Sequence, residues 1–143
     1  MLGGMSSRAS SAPAVDVDLL VRRFIGAIEA NVLDTACSLL APNCTYDNVP
    51  MGVVHGPEAV RAGLAPFLGA CDQVQWVIHH QVARQDDHAD GVVMNERLDR
   101  FHMGDRWIEV PVAGLFVISD GLITLWRDYF DLPTFRAQTS PAS

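Results

Sequence analysis

Lysine is absent from this chain. Its ten basic residues are all arginine, and seventeen acids leave a formal net charge of -7. The all-arginine usage is a compositional bias. The acidic balance, with no basic cluster, argues against a nucleic-acid partner. Long apolar runs are also missing, since no stretch reaches the roughly 20 residues that cross a bilayer, so no membrane partner is expected. Cysteine is scarce: Cys37, Cys44 and Cys71 are odd in number and have no CxxC spacing. They read as small buried apolar residues rather than as bridges or metal ligands, and a cytoplasmic location follows as the expectation. Several catalytic signatures are absent as well: the GxSxG elbow, the GxxxxGK[ST] phosphate loop and the dinucleotide GxGxxG. The histidines show no HxH or HxxxH spacing, and the adjacent His79 and His80 point to opposite faces of a strand. No metal and no cofactor are therefore expected.

What remains is an ordinary globular composition, 49% apolar in 143 residues, enough for one domain with a real core. Residues 1–15 lack the apolar stretch of a secretory signal and read as a disordered leader, with Met1 or Met5 as the start. The domain is expected over 16–132, with 133–143 as a loose tail. Val17, Leu20, Val21, Phe24, Ile25 and Ile28 form a helical stripe that Asp16 is suited to cap. A short helix follows over 34–40, then a strand at 44–49. Gly56-Pro57-Glu58 opens a third helix, which Pro66 should kink or shorten. From Gln73 the period becomes two, and strands are expected over 73–85, 91–102 and 106–119. After the Asp120-Gly121 turn comes a last strand, Leu125 to Leu132. Helices first and an antiparallel meander after is an α+β order. A strongly curved sheet wrapped on the helices would leave a cone-shaped pocket.

The last strand carries the oddity. Trp126, Asp128 and Phe130 share one face, and a lone carboxylate among aromatics costs several kcal/mol, on the order of the burial penalty for a charge, unless it is paired. Arg97, Asp99 and Phe101 alternate in the same way. Each residue alone reads as half of a structural ion pair. Together they predict an arginine between two carboxyls, one ionised and one protonated, the pairing that general acid–base chemistry needs. Tyr46 and Asn48 share a face and could hold a water by two hydrogen bonds. Glu29 and Glu58 read as solvated helix residues.

Tyr46-x-Asn48 before Pro50, Glu96-Arg97-Leu98-Asp99, and Trp126-Arg127-Asp128-Tyr129-Phe130-Asp131 resemble, in order and spacing, the limonene-1,2-epoxide hydrolase family. The resemblance runs from about Val17 to Leu132. It implies a cone-shaped barrel of strongly curved mixed β-sheet packed on the N-terminal helices, as in nuclear-transport-factor-2-like and ketosteroid-isomerase-like proteins. It also implies a homodimer that needs no cofactor or metal. By position, Asp128 resembles the general base that activates water, Tyr46 and Asn48 the groups that hold that water, Asp99 the acid that protonates the epoxide oxygen, and Arg97 the bridge between the carboxyls. The implied substrates are a small-molecule epoxide and water. The apolar wall follows from no motif. The expected substrate contacts are Trp126, Phe130, Phe101, Val110, Val112, Leu68 and Ile78. Two other readings stay open on the residues: an isomerase or cyclase on a steroid-like or polyketide-like substrate, since the fold hosts those activities too, and a non-catalytic ligand-binding dimer.

Overall fold

The structure is a computed structural model that describes residues 14–140. Its elements run α1 (Val17–Glu29), α2 (Leu33–Ser38), β1 (Leu40–Asn48), β2 (Gly52–His55), α3 (Pro57–Gly69), β3 (Gln73–Asp87), β4 (Asp90–Met103), β5 (Arg106–Ser119), β6 (Leu122–Phe130) and α4 (Leu132–Thr139). The Asp16 carboxylate caps α1 by accepting from the Leu19 N–H, which satisfies a donor the helix cannot pair internally. The stripe from Val17 to Ile28 is buried and packs across β3 and β4. α3 starts at Pro57, after Gly56 at φ 85°. It runs through Pro66 to Gly69, so the expected shortening does not occur.

The six strands form one curved, open sheet in the order β2-β1-β6-β5-β4-β3. All neighbouring pairs are antiparallel except β1 with β6, which is parallel, so the sheet is mixed. Asp120 and Gly121 both have positive φ, 52° and 79°, as a tight turn of the primed type requires. On β4 the burial alternates cleanly, and Val93, Asn95, Arg97, Asp99 and Phe101 face inward. Bulges reset the phase of β6 and β3. One extra residue, Thr124, lies between the pairs Ile118–Ile123 and Val117–Leu125. Ile123 therefore faces inward together with Trp126 and Asp128. On β3, His79 is the extra residue between the pairs Ile78–Arg97 and His80–Glu96. A bulge of this kind leaves one residue unpaired and turns the following side chains to the other face.

Three expectations need correction. β1 starts four residues earlier than the strand expected at 44–49, and β2 was not expected at all. Residues 132–139 are not a loose tail but helix α4. Its cap is the Asp131 carboxylate accepting from the Thr134 N–H at 3.0 Å, with Pro133 in its first turn. Gln138 ties it to β5 by accepting from the Glu109 N–H at 2.8 Å and donating to the Glu109 carbonyl. Most of the expected leader lies outside the described residues. Val15, at its end, belongs to the fold and donates its N–H to the His88 carbonyl. No helix among the described residues is long and apolar enough to cross a membrane.

Candidate active site

Arg97 on β4 and Asp128 on β6 are separated by β5, so the arginine must reach across a strand. Gly114 makes this possible. It pairs with Asn95 on one side and with Asp128 on the other. A Cβ there would lie 2.5 Å from Arg97 Nη1, 2.9 Å from Asn95 Oδ1 and 3.0 Å from Asp128 Oδ1. The guanidinium lies over this bare backbone. Arg97 Nε and Nη2 donate to the two oxygens of Asp99, each at 2.9 Å. Nη1 and Nη2 donate to the two oxygens of Asp128 at 3.3 and 3.0 Å. Asp128 Oδ1 also accepts from Trp126 Nε1 at 3.0 Å. All of these side chains are buried.

Tyr46 and Asn48 join the cluster because β1 runs parallel to β6 with Tyr46 opposite Trp126 and Asn48 opposite Asp128. The Tyr46 ring stacks on Trp126 at 3.8 Å between centroids. Its hydroxyl accepts from Asn48 Nδ2 at 3.1 Å, and Asn48 Oδ1 is buried with no partner in the protein. A buried amide oxygen left open in this way has a strong demand for a donor.

The charge states follow from burial and neighbours. Burial, the largest influence, pushes the Asp99 carboxyl up to about 6, against the pull of Arg97 and with help from Asp128 and Glu29. Burial also disfavours the charge on Arg97, but Asp128 and Asp99 together outweigh it and hold the guanidinium protonated. Burial, then the charge of Asp128, pushes the Tyr46 phenol well above its ordinary range, so at neutral pH it keeps its proton. Asp128 accepts three hydrogen bonds and Asp99 two. Asp128 is thus the better hydrogen-bonded of the two buried carboxyls, and burial favours the protonated form of Asp99.

Asp99, Asp128, Tyr46 and Asn48 face a cavity of about 410 Å³, with Arg97 behind them. Of the expected wall, Phe101, Phe130, Val110, Val112 and Leu68 line this cavity. Trp126 and Ile78 do not. Trp126 is fully buried, edge-on to Phe24 and stacked over Tyr46, and it acts on the cavity through that stacking and its bond to Asp128. Ile78 packs into the core beside Arg97. The sequence reading missed Trp76, Phe67 and Phe135 in the wall, and Met51 and Val53 where the cavity opens. It also missed Gly114 and Asn95, the latter accepting from Arg97 Nη1 at 3.0 Å. Glu29, read as solvated, is half-buried and accepts from the Trp76 N–H at 2.8 Å. Among the described residues no three or more His, Cys, Asp or Glu are grouped to hold a metal, and the space between the two carboxyls is taken by the guanidinium.

The chain is 31% identical over 113 residues to an epoxide hydrolase, EphG, of Mycobacterium tuberculosis, which covers 78% of this chain and 71% of that one. A solved LEH-like epoxide hydrolase of M. tuberculosis superposes with a TM-score of 0.69 at 29% identity, covering 83% of this chain and 85% of that one. A protein of ketosteroid isomerase-like fold from Catenulispora acidiphila, solved with trimethylamine, gives a TM-score of 0.72 at 22% identity, covering 86% and 93%; this likeness is one of fold alone. Residues 16–140 match the model of the limonene-1,2-epoxide hydrolase catalytic domain. That span takes in both carboxyls, the arginine between them and α4, and the chain belongs to the limonene-1,2-epoxide hydrolase family.

Proposed function

We propose that this protein is an epoxide hydrolase that adds water to a small-to-medium apolar epoxide in one step, giving a vicinal diol. The observation that carries the reading is a single arginine bidentate to two carboxyls that face one apolar cavity. A water held by the Tyr46 phenol and the open Asn48 amide oxygen sits in front of Asp128. Asp128 takes a proton from this water as its oxygen bonds to the epoxide carbon. The C–O bond of the ring breaks on the far side, and Asp99 delivers its proton to the leaving oxygen. Asp128 ends protonated and Asp99 ionised, so the cluster keeps its net charge, and a proton exchange resets it. Ring strain supplies much of the driving force, and no covalent intermediate is needed. An isomerase needs one base and an oxyanion donor; it has no use for a buried arginine shared by two acids.

A single turnover in ¹⁸O-labelled water tests the reading. The label is expected in the diol, and Asp128→Asn is expected to slow the reaction at least about 10²-fold, the low end for general acid–base catalysis. Label that enters Asp128 and not the diol would replace this mechanism with a covalent ester. A panel of epoxides that yields no diol would leave the isomerase or ligand-binding reading.

A homodimer through the outer face of the sheet belongs to the same proposal. Leu98, Leu115 and Val117 are half-buried there, while Val82 and Met94 are 69% and 46% exposed. Apolar exposure on one continuous sheet face favours a like partner. Light scattering at micromolar concentration should give a dimer mass; a monomer mass would overturn it.

A further inference from the structure

We propose that Asp18, Gln81 and Asn95 form a one-directional hydrogen-bond relay that positions Arg97, which makes Asn95 a positioning residue of the site. Only the activity readouts below rest on the epoxide hydrolase reading.

A guanidinium donates through every N–H and accepts nothing. In Arg97 the two carboxyls take all but one of these donors, and Asn95 Oδ1 takes the last. The bare backbone of Gly114 beside Nη1 offers no side chain to replace it. Asn95 is itself buried. Its Nδ2 donates to Gln81 Oε1 at 3.0 Å. Gln81 Nε2 then donates to Asp18 Oδ1 at 2.7 Å and to the Asp18 carbonyl at 3.2 Å. The chain thus runs from the first turn of α1, through β3, to the centre of β4.

Its direction is set from both ends. An amide can turn over at almost no steric cost, so an Asn or Gln alone does not fix its own orientation. Here Asp18 only accepts, so Gln81 must show it the NH₂. Gln81 then shows its oxygen to Asn95, and Asn95 shows its own to Arg97. Starting from the cation gives the same answer, since a reversed Asn95 would set NH₂ against the guanidinium. The Gln81 hydrogen bond is also the main reason the Asp18 carboxyl sits below its ordinary range, which keeps the accepting end ionised. The bulge at His79 is what brings Gln81 to the inner face opposite Asn95. A guanidinium held this way cannot rotate about its stem, and both carboxyls stay bidentate. Such geometry matters because a displacement of about 1 Å in a reacting constellation can cost about 10²-fold in rate.

The test compares Asn95→Leu, Gln81→Leu and the double variant, each checked for folding. Asn95→Leu is expected to lower kcat about tenfold with KM little changed, and Gln81→Leu about threefold, both within the range misplacement can cost. The double variant is expected to be no worse than Asn95→Leu, because linked residues are non-additive. The alkaline limb of kcat/KM should move to higher pH, since a loosened Arg97 opposes protonation of Asp99 less. The charged and titratable groups facing Asp99 are Arg97, Asp128, Tyr46 and Glu29, Arg22 pairs with Asp18 at the far end of the relay, and none is altered. Side-chain ¹⁵N spectra supply a readout without substrate: the Arg97 Nη signals should be separate in the parent protein and merge in either single variant. Loss of thermal stability with unchanged kcat, pH profile and Arg97 signals would overturn the relay, and so would additive rate effects. If no epoxide is turned over by the parent protein, the hydrolase reading fails, and the Arg97 signals still decide the relay.

Discussion

At the floor of the cavity Arg97 is 1% exposed and each of its N–H groups has an acceptor. At the mouth Met51 and Val53 are 57% and 52% exposed, and the one polar side-chain contact is the long one from Asn48 Nδ2 to Met51 Sδ at 3.9 Å. The floor is over-determined. Moving one atom there leaves a buried charge or a buried polar group unpaired, and either costs far more than a lost apolar contact. The mouth is under-determined, because one apolar side chain serves there about as well as another of similar size. The floor therefore sets the kind of reaction, and the wall and mouth set which molecules undergo it. The sharpest way to break this division is to remove the cation. Arg97→Ala leaves two buried carboxyls without a counter-charge. The expected loss of stability is about 3–5 kcal/mol, as for other buried pairs broken on one side, with loss of any diol formation. A chemical denaturation curve close to that of the parent protein would show that the floor is far less constrained than its geometry implies.

The same division explains what could be read from the chain alone. Arg97, Asp99 and Asp128 stood out because a charge on an apolar strand face demands an answer, and the alternation on β4 is unbroken across them. Tyr46 and Asn48 followed from their spacing and the resemblance. Gln81 was hidden by the bulge at His79: a strict two-residue period from Trp76 puts His80 inward and Gln81 outward, whereas Gln81 pairs with Asn95 on the inner face. Gly114 was hidden because its importance comes from two strands on either side, which no local pattern records. Helix α4 did leave a signal, Asp131 as a cap and Pro133 in the first turn, and with it Phe135 could have been placed in the wall. Trp126 and Ile78 were misplaced for a different reason. An inward apolar residue can pack into the core or line the cavity, and the sequence does not separate the two.

A second test concerns the proton on the floor. The Asp99 carboxyl moves from an ordinary 3.8 to about 6 in the folded protein. Between these values the native state binds more protons than the unfolded chain, so this group makes stability fall as pH rises from about 4 to about 6 and adds nothing further above that. A shift of this size corresponds to roughly 3 kcal/mol. Denaturation curves for the parent protein and for Asp99→Asn should diverge across that window in favour of the variant, whatever constant offset the lost bonds to Arg97 introduce. Activity should follow the same titration, with kcat/KM falling as pH rises through about 6, because the acid must hold its proton to give it up. Parallel stability curves and a rate that is flat from pH 5 to 8, a window chosen around the histidine-to-carboxyl range, would remove Asp99 from its role as the acid.

The smallest effect is expected in the apolar wall. Phe135 on α4 is half-buried, with its ring 6.0 Å from Phe67 and 6.2 Å from Phe130. α4 contains no fully buried residue, so Phe135→Ala should cost little stability. It removes one side of the apolar wall and leaves every hydrogen bond of the floor in place. A small epoxide then loses contact area, and its KM should rise about tenfold or less, the scale of losing a few methylene contacts in an apolar pocket. A bulkier epoxide loses less and gains room, so the ratio of kcat/KM values between large and small substrates should rise. The alkaline limb of the pH profile should not move, because Asp99, Asp128 and Arg97 keep their partners. If Phe135→Ala instead shifts that limb or lowers kcat equally for every epoxide, the wall is coupled to the floor, and the cavity does not divide into a part that reacts and a part that selects.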